Sequence, residues 1–534
     1  MTTPAEPPTV RTTCAIVGGG PAGLVLGLLL ARAGVAVTVL EKHADFLRDF
    51  RGDTVHPTTL ALLDDLGLFD RFEAIPHSRV THVDLPDPEG RPVRMVDFTR
   101  LPVRHPYIAM VPQWDLLDLL ADAAAAEPTF SLRTEHEVTG VTWEKGRVSG
   151  VVVESPEGTG QVAADLTIAC DGRWSVIRRA VGFPARERAV GFDVWWYRLP
   201  TDRRVGESLL PRSNRGRVAI GIPRDGYIQV AQLGPKGADD AVRARGLDAF
   251  RADAAQLFPE AAAGVTGIGS MADVKHLDVR LDRLRRWHAP GVLCIGDAAH
   301  AMSPVGGVGI NLAVQDAVAA ARILAPLLRS GGASGRAEAR ALARIQRRRM
   351  VPTVVIQGMQ RILHAALIMP AIRGRDLRPP SWVVKVVRRV PWLSAFPALA
   401  VGVGPRPERA PRWARPLPDH PPTAGASGTC SSAWNEWIQS RSRSKASSEA
   451  RRVLRSRARA PSGRWSISPT VTDASTILRV RKRRRRSYSA RAWSQSVVLE
   501  SRSDRTIASS MDWFAPRPWW GTAAPTSRRT AVCS

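Results

Sequence analysis

Three glycines and three carboxylates mark the chemistry this chain is equipped for. Gly18, Gly20 and Gly23 stand in the run Gly18-Gly19-Gly20-Pro21-Ala22-Gly23. Gly18 permits a tight turn, Gly20 lets a pyrophosphate approach the backbone, and Gly23 brings a helix against a strand, with Pro21 and Ala22 between them. Glu41 follows Gly23 by 18 residues, where a carboxylate accepts hydrogen bonds from ribose hydroxyls and repels a ribose 2′-phosphate. Asp171 and Asp297 each follow a short apolar stretch, in Asp171-Gly172-Arg173-Trp174-Ser175-Val176-Ile177-Arg178 and in Gly296-Asp297-Ala298-Ala299-His300. Carboxylates at the carboxyl ends of strands face the crevice where an α/β sheet binds its ligand, so Asp297 is placed to accept from a ribityl hydroxyl. The run from Pro304 to Asn311 brings backbone amides close to a planar ring, because Gly306, Gly307 and Gly309 carry no side chain. An isoalloxazine answers that description.

The elements that must hold these residues follow from the apolar periods. Cys14 to Val17 reads as a buried strand, Leu24 to Ala33 as a helix stopped by Gly34, and Val35 to Leu40 as the next strand. Strands at Leu166 to Cys170 and Gly291 to Ile295 each lead into an acidic turn, the second followed by a helix through Asp316. A helix macrodipole contributes only about 0.3 to 1 kcal/mol per charge contact, so several backbone amides must converge on a diphosphate.

In this order and spacing the motifs resemble those of the class A flavoprotein monooxygenases of the para-hydroxybenzoate hydroxylase type, across residues 12–400. The resemblance rests on the GxGxxG, DGxxSxxR and GDAAHxxxPxGGxGxN boxes, on Arg51 in RGDTVHPTTLALLDDLGL and on Gln113 in VPQWDLLDLL. It implies FAD as cofactor, NADH or NADPH as co-substrate, and a small aromatic substrate with O2. Arg51 and Gln113 are then expected at the FAD phosphates or ribityl chain, and Asp171 and Arg178 in FAD and nicotinamide handling. Lys42, Gly296, Gly307, Gly309, Ile310 and Asn311 complete the expected cofactor contacts, and Pro304 lies near the reactive edge of the flavin. Val308 departs from the polar residue, often Gln, of many relatives. In the family a nicotinamide reduces FAD, and a flavin hydroperoxide then passes one oxygen atom to an electron-rich ring. The protein's share is orientation and a dry pocket. His300 is a candidate catalytic base, but at the start of a helix an imidazole also serves packing or capping, and geometry to the substrate decides.

The expected fold is α/β. A Rossmann-like (GR2-type) FAD-binding domain occupies residues 1–185 and 286–330, interrupted by a substrate-layer insertion at 75–112 and a β-sheet substrate domain at 186–285. A C-terminal helical lobe spans 331–405, with Arg347, Arg348 and Arg349 on a solvated face, and a basic disordered tail spans 406–534. In the substrate domain, strands are expected at Val194–Leu199, Arg217–Ile222 and Tyr227–Leu233. Trp195 and Tyr197 then share one face and Trp196 takes the other, so one face lines a pocket or all three pack in the sheet. The segment Leu377 to Val403 reads as part of the structural lobe, with a membrane surface or a partner as the alternative.

Composition excludes other classes. Of 534 residues, 76 are Lys or Arg and 49 Asp or Glu, a net +27. Residues 406–534 hold 26 of those cations and 8 of the acids, so the main body is only moderately basic, has no groove-reading repeat, and no nucleic acid is expected as its partner. The tail is either a basic arm for acidic polymers or sequence not selected to fold, such as a read-through or wrong-frame extension. Cys14, Cys170, Cys294, Cys430 and Cys533 form no CxxC pair, so neither a disulfide framework nor a metal site is expected. With no basic and apolar leader and no clean transmembrane span, the chain is expected to be cytoplasmic, as monomer or homodimer. An aromatic hydroxylase is the leading function. A halogenase or isoprenoid-chain reductase is the alternative, though Trp195-Trp196-Tyr197-Arg198-Leu199-Pro200 does not supply the halogenase WxWxIP motif.

Overall fold

The computed structural model describes residues 9–47, 54–87, 89–202, 208–214, 216–331, 334–375 and 378–416. Near-continuous apolar runs form the strands of a largely parallel sheet, since both of its faces are covered. These are β1 (Thr9–Val17), β2 (Val37–Leu40), β3 (Phe130–Arg133), β4 (Glu137–Glu144), β5 (Arg147–Ser155), β6 (Gly158–Ala169), β7 (His288–Ala289) and β8 (Val292–Cys294). The order is β7-β8-β6-β1-β2-β3, with β5 and β4 added as an antiparallel flap on β6. Val17 pairs with Leu40 on one side and with Ala169 on the other, and Ala169 pairs with Cys294. This register brings the carboxyl ends of four strands to one line, so Gly18, Glu41, Asp171 and Gly296 emerge side by side.

Helix α1 (Pro21–Arg32) starts with proline at its first turn and is buried nearly all round. It begins three residues earlier than the periodicity suggests, because Pro21 supplies a preset φ where no amide is needed. The motif helix α2 (Pro57–Asp65) and the Gln113 helix α3 (Gln113–Ala125) complete this layer. A single core joins Cys14, Leu24, Leu28, Val39, Leu166 and Val314.

The second sheet is antiparallel. Its strands β9 (Phe192–Pro200), β10 (Leu210–Asn214), β11 (Arg217–Arg224), β12 (Tyr227–Pro235) and β13 (Lys275–Leu277) stand in the order β10-β11-β12-β9-β13. Helix α4 (Gly246–Leu257) covers one face, and Tyr197 meets Phe250 edge-on at 5.0 Å. Trp195 and Tyr197 are therefore core on the helix side, while Trp196 points the other way into the cavity described below. Strand β10 and helix α4 were not read from the sequence.

The third layer contains α5 (Val308–Arg329), α6 (Gly335–Leu363), α7 (Ser381–Arg389) and α8 (Ala395–Gly402). By length and composition the helices Val305–Arg329 and Gly335–Ile372 are long and apolar enough to cross a membrane, and the first is mostly buried within the fold. Two expectations change here. Arg349 is not on a solvated face: it is 1% exposed and bonded through Nε to Asp316 at 2.7 Å, while Arg348 pairs with Glu408. Nor does the packed structure end at residue 405. Residues 406–416 run back over the first domain, burying Ala410 and Ala414 in its core, with Arg32 donating to the Ala414 carbonyl at 2.8 Å and Arg415 pairing with Asp65 at 3.1 Å. This strap is rich in Pro and Arg, so its composition hides it in the tail. The remainder of the basic tail, with Cys430 and Cys533, lies outside the described residues, as does Arg51.

A chain ended at residue 405 is expected to unfold at a lower urea midpoint than one ended at 416. Losing the strap removes Glu408 from Arg322, Arg348 and Arg349, of which only Arg349 keeps a second carboxylate, Asp316, and it uncovers Ala410 and Ala414. Equal midpoints would refute a structural role for the strap.

Candidate functional site

The aligned strand ends open into a cavity of about 720 Å³. One half is lined by Gly18, Gly20, Pro21, Ala22, Glu41, Lys42, Gln113, Asp171, Gly296, Asp297, Pro304, Gly307, Gly309 and Ile310. Fourteen of the residues singled out from sequence therefore converge on one space. Gly18 takes φ +100°, and a Cβ there would press on the Cys170 carbonyl at 2.6 Å. At Gly23 a Cβ would overlap the Gly18 carbonyl, so this glycine closes helix on strand and does not line the cavity. At Gly20 a Cβ would meet nothing within 4 Å and would project where a ligand must pass.

The carboxylates are held differently. Glu41, 2% exposed, accepts from the Gly19 amide at 2.9 Å and the His43 amide at 3.1 Å. Asp171 accepts through Oδ2 from the amides of Val176 (2.8 Å) and Ile177 (3.3 Å), while its buried Oδ1 has no partner. Burial lifts its carboxyl above the usual range, against the opposing hydrogen bonds from Ser175 and those amides. Asp297 is partly exposed and accepts from Arg173 at 3.3 Å. Lys42 pairs with Glu137 at 3.8 Å across the rim.

The turn after Pro304 is shaped from outside. Gly306 and Gly307 take φ +80° and +64°, conformations that favour glycine. The Thr54 hydroxyl donates to the Gly307 carbonyl at 2.9 Å, and His56 Nε2 donates to the Gly306 carbonyl at 3.3 Å. From the other side, Gln360 donates to the carbonyls of Ser303 (2.8 Å) and Val305 (3.0 Å), and His364 Nε2 meets the Ser303 hydroxyl at 3.0 Å. Burial depresses both imidazoles to about 4. Thr54 and His56 lie in the RGDTVHP box and were within reach of sequence reasoning; Gln360 and His364 show only a helical period.

Three expected site residues lie elsewhere. His300 does not reach the cavity: it is 1% exposed, lies against Trp287, and its Nε2 meets Asp316 Oδ2 at 2.5 Å. Asp316 also accepts from the Gly296 amide at 3.1 Å, so His300 braces the acidic turn from behind and has no path to a substrate proton. Asn311 turns its side-chain oxygen to the hydroxyls of Thr58 (2.7 Å) and Thr59 (2.9 Å), tying α5 to α2. Arg178 forms a two-pronged, nearly buried pair with Asp282 at 3.3 and 3.0 Å, and Asp282 in turn accepts from the Ala301 amide at 3.1 Å. None of the three lines the cavity.

The other half of the cavity is apolar. Val80, Phe98 and Met110 from the 75–112 insertion face Trp196, Ile220 and Leu233 of the second sheet. Gln229 and the indole Nε1 of Trp196, buried without a hydrogen-bond partner, bring polar groups to this half. The donor set of that first half fits FAD: an open Gly20 for the diphosphate, a buried Glu41 for the ribose, an unpaired Asp171 oxygen, Asp297 and a side-chain-free glycine turn.

Comparison with known proteins agrees. A family model described as FAD binding domain matches residues 11–353. The 6-methylpretetramide 4-monooxygenase of Streptomyces rimosus is 35% identical over 344 residues, which cover 62% of this chain and 79% of that protein. The para-nitrophenol 4-monooxygenase of a Pseudomonas species is 26% identical over 340 residues, covering 60% and 79%. The longer 12-dehydrotetracycline 5-monooxygenase/anhydrotetracycline 6-monooxygenase of S. rimosus is 31% identical, with 58% of this chain and 61% of that protein covered. Among solved structures, an anhydrotetracycline hydroxylase from S. rimosus shares the fold at TM-score 0.58 and 24% identity, over 74% of this chain and 76% of that one.

With two histidines depressed from 6.5 to about 4, the unfolded chain binds more protons than the folded one between those values. Stability is then full above pH ~6.5 and falls by about 1.4 kcal/mol per pH unit per histidine on acidification toward pH ~4. Urea titrations of wild type and His56→Gln across this range check it; a pH slope unchanged by the substitution counts against the assignment.

Proposed function

We propose that this chain, which belongs to the FAD-binding domain family and with it to the class A FAD-dependent monooxygenases, uses NAD(P)H and O2 to hydroxylate an aromatic or phenolic small molecule. Bound FAD supplies the chemistry, accepting reducing equivalents from NAD(P)H and activating O2. The observation that carries the reading is one cavity with a dinucleotide-binding half and an apolar half.

In this reading the amides at the start of α1 and the bare Gly20 hold the diphosphate. Glu41 takes the ribose, Asp297 and Gln113 the ribityl chain, and the Gly306 to Gly309 turn lies along the ring with Pro304 at its reactive edge. Lys42 guards the rim. Arg178 acts indirectly, fixing the Ala301 segment through Asp282. The apolar walls exclude water and position a flat substrate by shape, since they offer no acid or base. The tetracyclic and phenolic character in the names of the relatives supports an aromatic substrate, and a need for NAD(P)H supports a cytoplasmic setting. Against the halogenase reading, Trp195 and Tyr197 face α4 and not the cavity.

Two substitutions separate binding from folding. Gly20→Val places its side chain in open space, so the variant should fold and melt like wild type stripped of its flavin, and purify without the 450 nm band, roughly the usual oxidised-flavin absorption. Asp297→Ala should weaken FAD retention about 10- to 100-fold through loss of a charged acceptor. Normal flavin content in both variants would overturn the site. The reaction itself is tested by screening phenolic and polycyclic aromatic compounds for stimulated NAD(P)H oxidation with oxygenated product. Product formed only with added halide would favour the halogenase instead.

A further inference from the structure

Exposed large apolar side chains are concentrated in one part of the described residues. Val351, Val354, Val355 and Ile362 lie along the outer face of α6, Trp382 and Val386 on α7, and Trp392, Phe396 and Leu399 on and just before α8. Ile362 is 69% exposed, Trp382 67% and Phe396 58%, so these groups protrude and do not line a groove. Val401 of α8 and Met359 of α6 pack on the same small cluster around Ile356, so the exposed faces of the two helices flank one seam. The charge here is predominantly positive. Between residues 361 and 389 the chain carries seven Lys and Arg against one Asp, and Arg361, Arg373, Arg375, Lys385 and Arg389 are exposed.

We propose that this face docks the enzyme on an anionic phospholipid surface. Protruding Trp, Phe and branched aliphatic side chains interleaved with cations are what an interfacial segment requires, the rings entering the headgroup region while the cations meet lipid phosphates. A second copy of the chain is the wrong complement, because a symmetric contact sets this basic face against itself. The chain's own basic segment beyond residue 416 is the wrong complement for the same reason. The position also matters: Leu363 of α6 and Val401 of α8 line the apolar half of the cavity, so the two helices that bear the patch also form its wall. Docking thus sets that wall at the membrane, where a flat apolar compound concentrates.

The test is flotation of the full-length, flavin-loaded protein with vesicles of phosphatidylcholine alone or with about one-third phosphatidylglycerol, in the roughly 0.1 M salt that leaves short-range attraction intact. The wild type is expected to float with the anionic vesicles only. The triple variant Trp382→Ser, Trp392→Ser, Phe396→Ser keeps every charge, so residual attraction of the basic tail is unchanged, and its vesicle affinity should fall at least about tenfold. Lys385→Glu with Arg389→Glu should do the same. None of these residues lines the cavity, so flavin content and NAD(P)H oxidation without vesicles report separately on the proposed reaction. Absence of wild-type flotation, or flotation unchanged by the triple variant, overturns the proposal. So does light scattering that finds a dimer dissolved by the same substitutions, which makes the face an interface between copies.

Discussion

The carboxylate of Asp316 is the constraint on which the cofactor side of this fold depends. Fully buried, it accepts from the Gly296 amide, from His300 and from Arg349. Burial alone would raise its pKa, but the charges of His300 and Arg349 outweigh that and hold it below the usual carboxylate range. Gly296 immediately precedes the cavity-facing Asp297, so the acidic turn is placed by an ion pair buried behind it. The same network reaches the strap: Arg349 also donates to the Arg406 carbonyl and lies 3.8 Å from Glu408. A buried pair of this kind contributes little net stability by itself, yet losing one partner is expensive. Its effect here is to make helix α5, helix α6, the turn and the strap one mechanical unit.

Strand register does the corresponding work on the other motifs. Cys14 pairs with Val37 and Leu166, and each parallel step carries the neighbouring chain to the same edge. A slip of one residue in any pair would turn its buried side chains to the opposite face. The convergence of Gly18, Glu41, Asp171 and Gly296 is thus enforced by the packing of Ile16, Val39 and Ile168, all with no exposed surface. The strand ends that frame the cavity are thus aligned by hydrophobic sheet pairing.

Much of this was legible because it is local. The glycine turn, the strands on either side and the acidic residues at their ends lie within short stretches whose residue types have steric causes. What was not legible depends on partners remote in sequence. Nothing near His300 announces Asp316, and nothing in the run Arg347 to Arg349 shows that its last member alone turns inward. The alternation Trp195-Trp196-Tyr197 implies two faces, but which face is cavity is decided by helix α4, whose apolar pattern is weak. The strap at 406–416 was missed for a related reason: Ala410 and Ala414 are too small to signal burial by composition.

The division of the cavity accounts for the absence, among the described residues, of a protein acid or base beside the apolar half. A dinucleotide carries its own charges and hydroxyls, so the half that receives it must supply carboxylates and amides at fixed points. A flat aromatic ring carries few such handles, and its transfer from water yields about 25 cal/mol per Å² of apolar surface covered. That energy is non-directional, so orientation must come from wall shape: Trp196 across from Phe98 and Met110, with Ala231 leaving room opposite the indole in the register of β9 and β12. A charged side chain in those walls would need hydration or a partner, and the water it retained would compete with the ring for the space beside the flavin. Four of the buried titratable groups, His56, His364, His300 and Asp316, hold the turns at Gly296 and at Ser303 to Gly307. Those two turns are therefore held from behind by buried titratable groups, while the carboxylates of the cofactor half, Glu41, Asp171 and Asp297, line the cavity itself.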